Sequence, residues 1–262
     1  MRPEGKNRFV ARSLLYDSRR DGTTQMLNES TLVGFSQLLY ETTLDTLSTG
    51  KFPLVLGGDC SIIIGIMAAL KARGTFGLIF IDAHADFYLP EQSVTGEAAD
   101  MDLAIVMGRG VASLTNLNNL KPYAAERNVF HVGQRDQEEA RRYGSADIKD
   151  TGIRCYNCGQ INDQGIRAVT AAIIRQANDL RLDGYWLHFD TDVLADDVNP
   201  AVDYRLPGGL SFEQCTFLLE QLLGAVNVTG LSVTIFNPLR DDKGTIAGRI
   251  TECIASALKV RG

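Results

Sequence analysis

Acidic and histidine side chains alternate along the segment IDAHADF, where Asp82, His84 and Asp86 are separated by single alanines. Successive side chains of an extended chain point to opposite faces, so an extended segment would place all three on one face. Carboxylate and imidazole groups together are typical ligands of Mn, Fe or Zn. The spacing therefore predicts a cation site.

A second segment, HFDTDV, repeats this spacing with His188, Asp190 and Asp192 on one face. Carboxylates grouped at strand ends repel each other and raise each other's pKa in a low dielectric, and a divalent cation removes that conflict. Two bridging carboxylates would suit two metals ~3.5–4 Å apart. A lone aspartate there is more often a solvated cap, but two such clusters favour a metal centre. His188 either supports a ligand or packs in the core.

Short apolar runs alternate with segments of helical periodicity, which indicates a parallel sheet covered by helices on both faces. The candidate buried strands lie in FPLVLGG, FGLIFIDAHADF, NVFHVGQR, GYWLHFDTDV and TGLSVTIFNP, and the candidate helices span 32–48, 62–73, 136–143, 163–180, 211–223 and 246–258. Ser211 is positioned to cap the fifth helix. Ligands of such sheets bind beyond the carboxyl ends of the strands, where Asp59, Cys60 and both acidic segments fall.

The composition limits the partners. The 262-residue chain carries a formal net charge of −6 without a dense basic cluster, which argues against nucleic acid and favours a small-molecule substrate. No stretch approaches the ~20 apolar residues that span a bilayer, and no signal-peptide pattern opens the chain, so we expect no membrane partner and a cytoplasmic protein. Five cysteines are an odd set, which predicts reduced thiols. Association into a homo-oligomer is left open.

The segments GGDCS, DAHADF and HFDTDVLADDVNPAV followed by PGGLS resemble the three signatures of the ureohydrolase superfamily, which includes arginases, agmatinases and formiminoglutamases. The resemblance covers 54–238. It implies a three-layer α/β/α fold with a mostly parallel sheet, formed as one domain over 1–262. It also implies a first strand and helix ahead of FPLVLGG; neither is evident, so the N-terminal strand is expected to be missing or divergent.

The resemblance further implies a metal set. One ion would be held by Asp82, His84, Asp190 and Asp192, and a second by Cys60, Asp82, Asp86 and Asp190, with Asp82 and Asp190 bridging. The expected cofactor is Mn²⁺, one or two ions. The family usually has histidine where this chain has Cys60, and a thiolate favours Zn²⁺ or Fe²⁺. Cys60 is equally well explained as a small buried residue.

Three positions depart from the family pattern. Where arginases and agmatinases carry a proton-handling histidine, the aligned residue is Ala99. Where arginases have an asparagine that contacts the substrate's α-carboxylate, the aligned residue is Glu97, which would repel a carboxylate and attract an amine or amidine. The acid that contacts the guanidinium is replaced by Ile235. Recognition of an amino-acid substrate is therefore not expected.

The expected activity is metal-dependent hydrolysis of a linear C–N bond in an amidine, guanidine, hydroxyguanidine or formimino substrate. A cation lowers the pKa of a bound water toward ~7, and the hydroxide attacks the carbon. Asp86 would orient it, and Asp86 or Glu97 would donate the proton to the leaving amine. Three alternatives stay open: a zinc amide deacetylase that uses Asp82, His84 and Asp190, a catalytically silent metal-binding protein, and a core scaffold without metal.

Other motifs carry weaker predictions. Cys155 and Cys158 form a C-x-x-C pair without a second pair to complete a zinc site. His131 lies in an apolar strand and is interpreted as a core histidine with its hydrogen bonds satisfied. The sequence GRG at 108–110 lacks the strand and helix of a phosphate loop and is assigned to a turn.

Overall fold

The computed structural model describes residues 7–10 and 16–261. Within these ranges six strands form one sheet in the order β1-β6-β5-β2-β3-β4, and every neighbouring pair is parallel. The strands are β1 (Leu54–Leu56), β2 (Phe76–Ile81), β3 (Val129–Val132), β4 (Arg154–Tyr156), β5 (Gly184–Asp190) and β6 (Val228–Thr234). Because β2 and β5 are neighbours although far apart in sequence, the chain reverses its direction of winding between them.

Helices connect the strands. The described α-helices are α1 (Glu29–Ser48), α2 (Ile62–Arg73), α3 (Asp102–Val106), α4 (Ala112–Thr115), α5 (Gln137–Arg142), α6 (Cys158–Gln164), α7 (Ile166–Asp179), α8 (Phe212–Ala225) and α9 (Thr245–Lys259). Short 3-10 helices lie at Ala98–Asp100, Leu117–Asn119, Glu126–Asn128, Ile148–Asp150, Thr191–Val193 and Pro238–Arg240.

The central strands are buried on both faces. Leu78 and Phe80 of β2 pack with α1, α2 and α3, whereas Ile79 and Ile81 pack with α7, α8 and α9. A strand whose alternate side chains enter two separate cores must lie between two helical layers. This confirms the three-layer α/β/α fold with a parallel sheet.

The structure corrects three details of the sequence prediction. Strand β1 is an edge strand rather than a buried one, and Leu56 is 71% exposed. Strand β4 was not predicted, because its three residues at the other edge carry no apolar run. The helix predicted over 163–180 is α7, which begins at Ile166, and Gly165, with a φ of 84°, separates it from the unpredicted helix α6. Asn157 and Gln160 form a capping box that starts α6.

The N-terminal part differs from the expectation drawn from the family. Helix α1 precedes β1, as the periodicity over 32–48 predicted. Within residues 7–10 and 16–53 no strand precedes β1, and only an isolated bridge between Arg20 and Leu27 is present. The prediction that one domain spans 1–262 stays a prediction, because 1–6, 11–15 and 262 lie outside the described residues.

Two expectations from composition can be compared with the structure. Across the described part of the chain, no helix combines the length and apolar character needed to cross a membrane. All five cysteines are free thiols, as predicted.

The N-terminus of α8 provides a test of local stability. The Ser211 hydroxyl accepts a hydrogen bond from the Gln214 N–H at 3.2 Å, and the Gln214 side chain accepts one from the Ser211 N–H. Ser211→Ala should lower the free energy of unfolding by ~1 kcal/mol, because the Gln214 N–H loses its acceptor. Thermal denaturation should show a melting temperature about 2–4 °C lower. Ser211→Asp keeps an acceptor and is the matched control; equal destabilisation by both would contradict this role.

Candidate metal centre

The predicted site residues gather beyond the carboxyl ends of four adjacent strands, β1, β6, β5 and β2. A cavity of about 860 Å³ opens there. Cys60 follows β1, Asp82 follows β2, and Asp190 is the last residue of β5. This is the point at which strand order reverses, where parallel sheets usually bind ligands.

The extended conformation expected for IDAHADF is wrong. Strand β2 ends at Ile81, and Asp86 has a φ of 45°, in the left-handed region. Asp192 likewise lies in a 3-10 helix rather than in a strand. Each segment turns as it leaves the sheet, so the acidic side chains converge through loop geometry and not through a shared strand face.

The first group of side chains contains Asp82, His84 and Asp192, whose donor atoms all lie within 4.8 Å of one another. The His84 Nδ1 is 2.9 Å from an Asp192 carboxylate oxygen and 3.7 Å from one of Asp82. Asp82 also accepts the His84 backbone N–H at 2.6 Å, and Asp192 accepts that of Ala83 at 3.3 Å. Backbone donors therefore fix both carboxylates around the imidazole.

The second group contains Asp190, Cys60, Asp82 and His188. The Cys60 thiol donates to Asp190, with Sγ and Oδ2 2.5 Å apart, and Thr234 Oγ1 lies 3.3 Å from the same sulfur. Asp190 therefore joins Cys60 and Asp82 rather than the compact group of Asp82, His84 and Asp192.

The third group was missed by the sequence analysis. Cys60, Asp86 and Asp102 also have donor atoms within 4.8 Å of one another. Asp102 is the first residue of α3 and is fully buried, and neither of its carboxylate oxygens has a hydrogen-bond partner in the described part of the chain. The only signal in the sequence is an acid that directly precedes the apolar run LAIV.

Burial and mutual repulsion raise the pKa of four of these acids. Burial, then the charge of Asp192, raises the pKa of Asp82 to about 7. Burial is also the largest cause for the others, followed by nearby carboxylates, and the pKa values of Asp86, Asp102 and Asp190 all lie well above the usual range. The core-scaffold alternative required ordinary values and is not supported.

The charge state of Asp192 and His84 is different. Burial acts against both charged forms, but their mutual attraction outweighs it, so the pKa of Asp192 is lowered and that of His84 is raised. Burial, together with Asp190 and Asp82, raises the pKa of the Cys60 thiol. Without a cation, the thiol is therefore protonated at neutral pH.

Two buried histidines support the loops behind the site. The His131 Nε2 donates to the His84 carbonyl at 2.7 Å, but its Nδ1 has no partner, so its hydrogen bonding is only half satisfied. The His188 ring lies between Ser232, 2.8 Å from Nδ1, and Thr234, 3.3 Å from Nε2. Burial lowers the pKa of His131 to about 4 and of His188 to about 3, so both rings are neutral at physiological pH.

A guanidinium that sequence analysis did not single out holds the loop after β5. Arg135 Nη2 donates to the Asp192 carbonyl at 2.7 Å and to the Leu194 carbonyl at 3.3 Å. Asn199 Nδ2 donates to the Thr191 carbonyl at 2.6 Å. These bonds set the direction of the Asp192 side chain.

The donor set fits divalent cations. Five buried aspartates converge, none of their carboxylates is hydrogen-bonded by a described lysine or arginine, and both carboxylate oxygens of Asp102 have no partner among the described residues. Unpaired carboxylates are costly in a low dielectric, and cations that accept oxygen, imidazole and thiolate ligands would offset that cost. These acids are Asp82, Asp86, Asp102, Asp190 and Asp192.

The cavity wall contains the three positions that depart from the family pattern. Glu97 is half-buried, and its two oxygens accept the hydroxyls of Tyr16 at 3.3 Å and Tyr204 at 3.4 Å. Ala99 and Ile235 also line the cavity. Ile235 has a φ of 68°, a strained conformation for a β-branched residue.

The remaining motifs lie outside the site. Within the described residues, Cys155 and Cys158 belong to no group of potential metal ligands. Gly108 and Gly110 have φ values of 82° and 106° in the turn between α3 and α4, as predicted.

The chain belongs to the Arginase family, whose model matches residues 14–259. It is 32% identical over 229 residues to an arginase from Staphylococcus aureus, a match that covers 86% of this chain and 72% of that one. Members of this family are metal-dependent hydrolases of carbon–nitrogen bonds outside peptides, and this chain is an enzyme of that class.

Solved structures agree with the family. The arginase from Bacillus caldovelox superposes with a TM-score of 0.87 at 26% identity, covering 97% of this chain and 83% of that one. The arginase from Bacillus cereus gives 0.82 at 29% identity, covering 92% and 81%. The resemblance stated from the three motifs is confirmed.

The carboxylate cluster predicts how the stability of the metal-stripped protein depends on pH. When the pKa of an acid is higher in the folded than in the unfolded chain, the free energy of unfolding falls as pH rises between the two values. For Asp82 this range runs from about 4 to about 7. The raised pKa values of Asp86, Asp102 and Asp190 act in the same direction. The lowered pKa values of His131 and His188 act in the opposite direction, but only below ~6.5.

Because four acids oppose two histidines, the free energy of unfolding of the stripped protein should fall between pH 5 and 7. The loss should be on the order of a few kcal/mol, since one pKa unit corresponds to ~1.4 kcal/mol. Denaturant titrations at pH 5, 6 and 7 in the presence of a chelator measure it. Saturating Mn²⁺ or Zn²⁺ should reverse the trend, because ligands bind metal deprotonated. A stripped protein that becomes more stable toward pH 7 would contradict the electrostatic account.

Proposed function

We propose that this enzyme hydrolyses the C–N bond of a cationic amidine or guanidine that lacks a carboxylate near the reacting group. One observation carries the proposal: apart from the proposed metal ligands, six carboxylates line the cavity, and none of its described lining residues is a lysine or arginine. A cavity of one sign attracts the opposite charge and rejects its own. The six are Asp59, Glu97, Asp100, Asp136, Glu139 and Asp203.

The proposed ligand sets follow the family resemblance. One ion would be held by Asp82, His84, Asp190 and Asp192. A second would be held by Cys60 and Asp86, with Asp82 and Asp190 as ligands shared by both sets. Mn²⁺ suits the first set, and the thiolate of Cys60 moves the preference of the second toward Zn²⁺ or Fe²⁺. When bound, such ions supply an activated water and a positive charge for the developing oxyanion.

The residues of the chain then orient the reactants. Asp86 lines the cavity beside the donor groups, where its carboxylate would accept a hydrogen bond from the attacking water and direct it. Ala99 cannot exchange protons, so the leaving nitrogen takes its proton from Asp86 or from Glu97. Asp86 is the better placed of the two, because it belongs to the cluster whereas Glu97 lies with Tyr16 and Tyr204.

Substrate selection falls to the opposite wall. Glu97 accepts only two hydroxyl hydrogen bonds, so its carboxylate retains lone pairs for an amine or amidinium. The faces of Tyr16 and Tyr204 add favourable sites for a cation. The methyl groups of Ile235 make this part of the wall apolar, so the reacting group is held by the metal centre rather than by a second acid.

A second candidate is a zinc amide deacetylase. It is favoured by the group of Asp82, His84 and Asp192, which alone offers one Asp-His-Asp set of donor atoms. The sequence prediction had Asp190 in place of Asp192. The two candidates differ in product, since one releases urea or ammonia and the other releases a carboxylic acid.

The substrate class is tested with the Mn²⁺- and Zn²⁺-loaded enzymes. We expect release of urea or ammonia from guanidino- or amidinoalkylamines and negligible turnover of L-arginine, whose carboxylate would meet the acidic wall. Asp82→Asn should abolish both metal binding and turnover. Robust urea release from L-arginine would refute the proposed specificity, and release of acetate from acetylated amines would favour the deacetylase.

The role of Glu97 is tested by Glu97→Gln. The KM for a cationic substrate should rise about tenfold with a smaller change in kcat, because a hydrogen bond to a charged group contributes ~1.5 kcal/mol or more. Glu138→Gln, an exposed acid of α5 outside the cavity, is the matched control and should change neither constant. An equal loss of kcat and kcat/KM in Glu97→Gln would instead indicate a role in the chemical step.

A further inference from the structure

Asp102 has no role in the proposed reaction, and the contacts around its side chain do not explain why an acid is buried there. Its side chain is fully buried, and within residues 7–10 and 16–261 neither carboxylate oxygen has a hydrogen-bond partner. A buried carboxyl is costly in either protonation state when its polar atoms are unpartnered. A core built for packing alone would be better served by an apolar residue.

The position of Asp102 is set by the neighbouring loop. The Ala104 N–H donates to the Asp86 carbonyl at 3.2 Å, and the Tyr88 N–H donates to the Asp100 carbonyl at 3.3 Å. These bonds fasten the start of α3 to the segment that follows β2. Asp102 and Asp86 are thereby brought to the same place from two different elements.

Cys60 completes a set of three donors. The donor atoms of Cys60, Asp86 and Asp102 lie within 4.8 Å of one another, a span that ligand bonds of ~2.0–2.4 Å to one ion can reach. Cys60 and Asp86 line the cavity, whereas Asp102 does not. An ion among the three would thus be backed by Asp102 and open only on the side of the cavity.

We propose that Asp102 is a metal ligand and that Cys60, Asp86 and Asp102 together form the second cation site of this enzyme. The inference deepens the proposed function, since it concerns the same centre and adds Asp102 to the ligands given there for the second ion. A thiolate with two carboxylates carries three negative charges, which suits a tightly held Zn²⁺ or Fe²⁺. The other ion keeps the neutral imidazole of His84.

Cobalt binding tests the proposal independently of turnover. Co²⁺ bound by a thiolate gives an ultraviolet charge-transfer band, so the band reports an ion on Cys60. Wild-type protein titrated with Co²⁺ under reducing conditions should show the band. In Asp102→Asn the affinity of that site should fall by about tenfold or more, while the first ion stays bound. Elemental analysis after dialysis should find one ion fewer per chain.

Asp100→Asn is the matched control, because Asp100 lies two residues away and bonds to the Ser93 and Thr95 hydroxyls rather than to the cluster. Asp100→Asn should keep the charge-transfer band and the same number of bound ions per chain as the wild type. The melting temperature of metal-stripped Asp102→Asn should be unchanged or higher than that of the wild type, which separates loss of a ligand from loss of the fold. An unchanged band and affinity in Asp102→Asn would show that Asp102 only packs in the core.

A double variant distinguishes loss of a shared ligand from misfolding of the single variant. Because Cys60 and Asp102 would hold the same ion, Cys60→Ala combined with Asp102→Asn should lose no more cobalt than Cys60→Ala alone. A further loss, or no band in the wild type, would overturn the proposal. If Asp102→Asn loses the band but the wild type hydrolyses no cationic substrate, the metal site is supported and the proposed substrate class is rejected.

Discussion

The mutual repulsion of buried carboxylates is the constraint on which the site depends. Asp82, Asp190 and Asp192 leave two neighbouring strands of one parallel sheet at the same edge, so their proximity follows from strand pairing between β2 and β5. Asp86, from the loop after β2, and Asp102, from the start of α3, add two more acids. In water such a cluster would disperse, whereas here the folded backbone holds it together. The stability of the folded sheet thus maintains an arrangement of carboxylates whose mutual repulsion a bound cation would relieve.

Backbone hydrogen bonds hold three of these acids in place, since the carboxylates of Asp82, Asp190 and Asp192 each accept one from a backbone N–H. The Asp192 N–H donates to the Asp190 carboxylate at 2.7 Å, and the Arg135 guanidinium donates to the carbonyls of Asp192 and Leu194. Behind them, Trp186 Nε1 donates to Ser232, which contacts His188, which in turn contacts Thr234 beside Cys60. Each of these five side chains contacts another member of this hydrogen-bonded network. The ligands are therefore fixed before any ion arrives, which lowers the entropy cost of binding.

Much of this could be predicted from the sequence, and the remainder has physical reasons. The strands that carry ligands were found because β2 and β5 are continuously apolar and end in acids. The face-sharing argument failed at Asp86, because a left-handed φ cannot be inferred from residue spacing. Asp102 was missed because it is a single acid with no periodic partner, and only the tertiary contact between α3 and the loop after β2 gives it meaning. The short edge strand β4 forms because it pairs with β3, and its own three residues carry no apolar pattern that would predict a strand.

The acid-lined cavity has a consequence for the rate at which molecules enter it. The low-dielectric core behind it, which contains the neutral rings of His131 and His188 and the Phe80 ring stacked 4.7 Å from His188, cannot screen the carboxylates, so their field extends outward into the cavity. Cations of every kind are drawn along the same path. Capture of a cationic substrate should therefore slow as ionic strength rises, and free divalent ions in excess should compete with that substrate for entry.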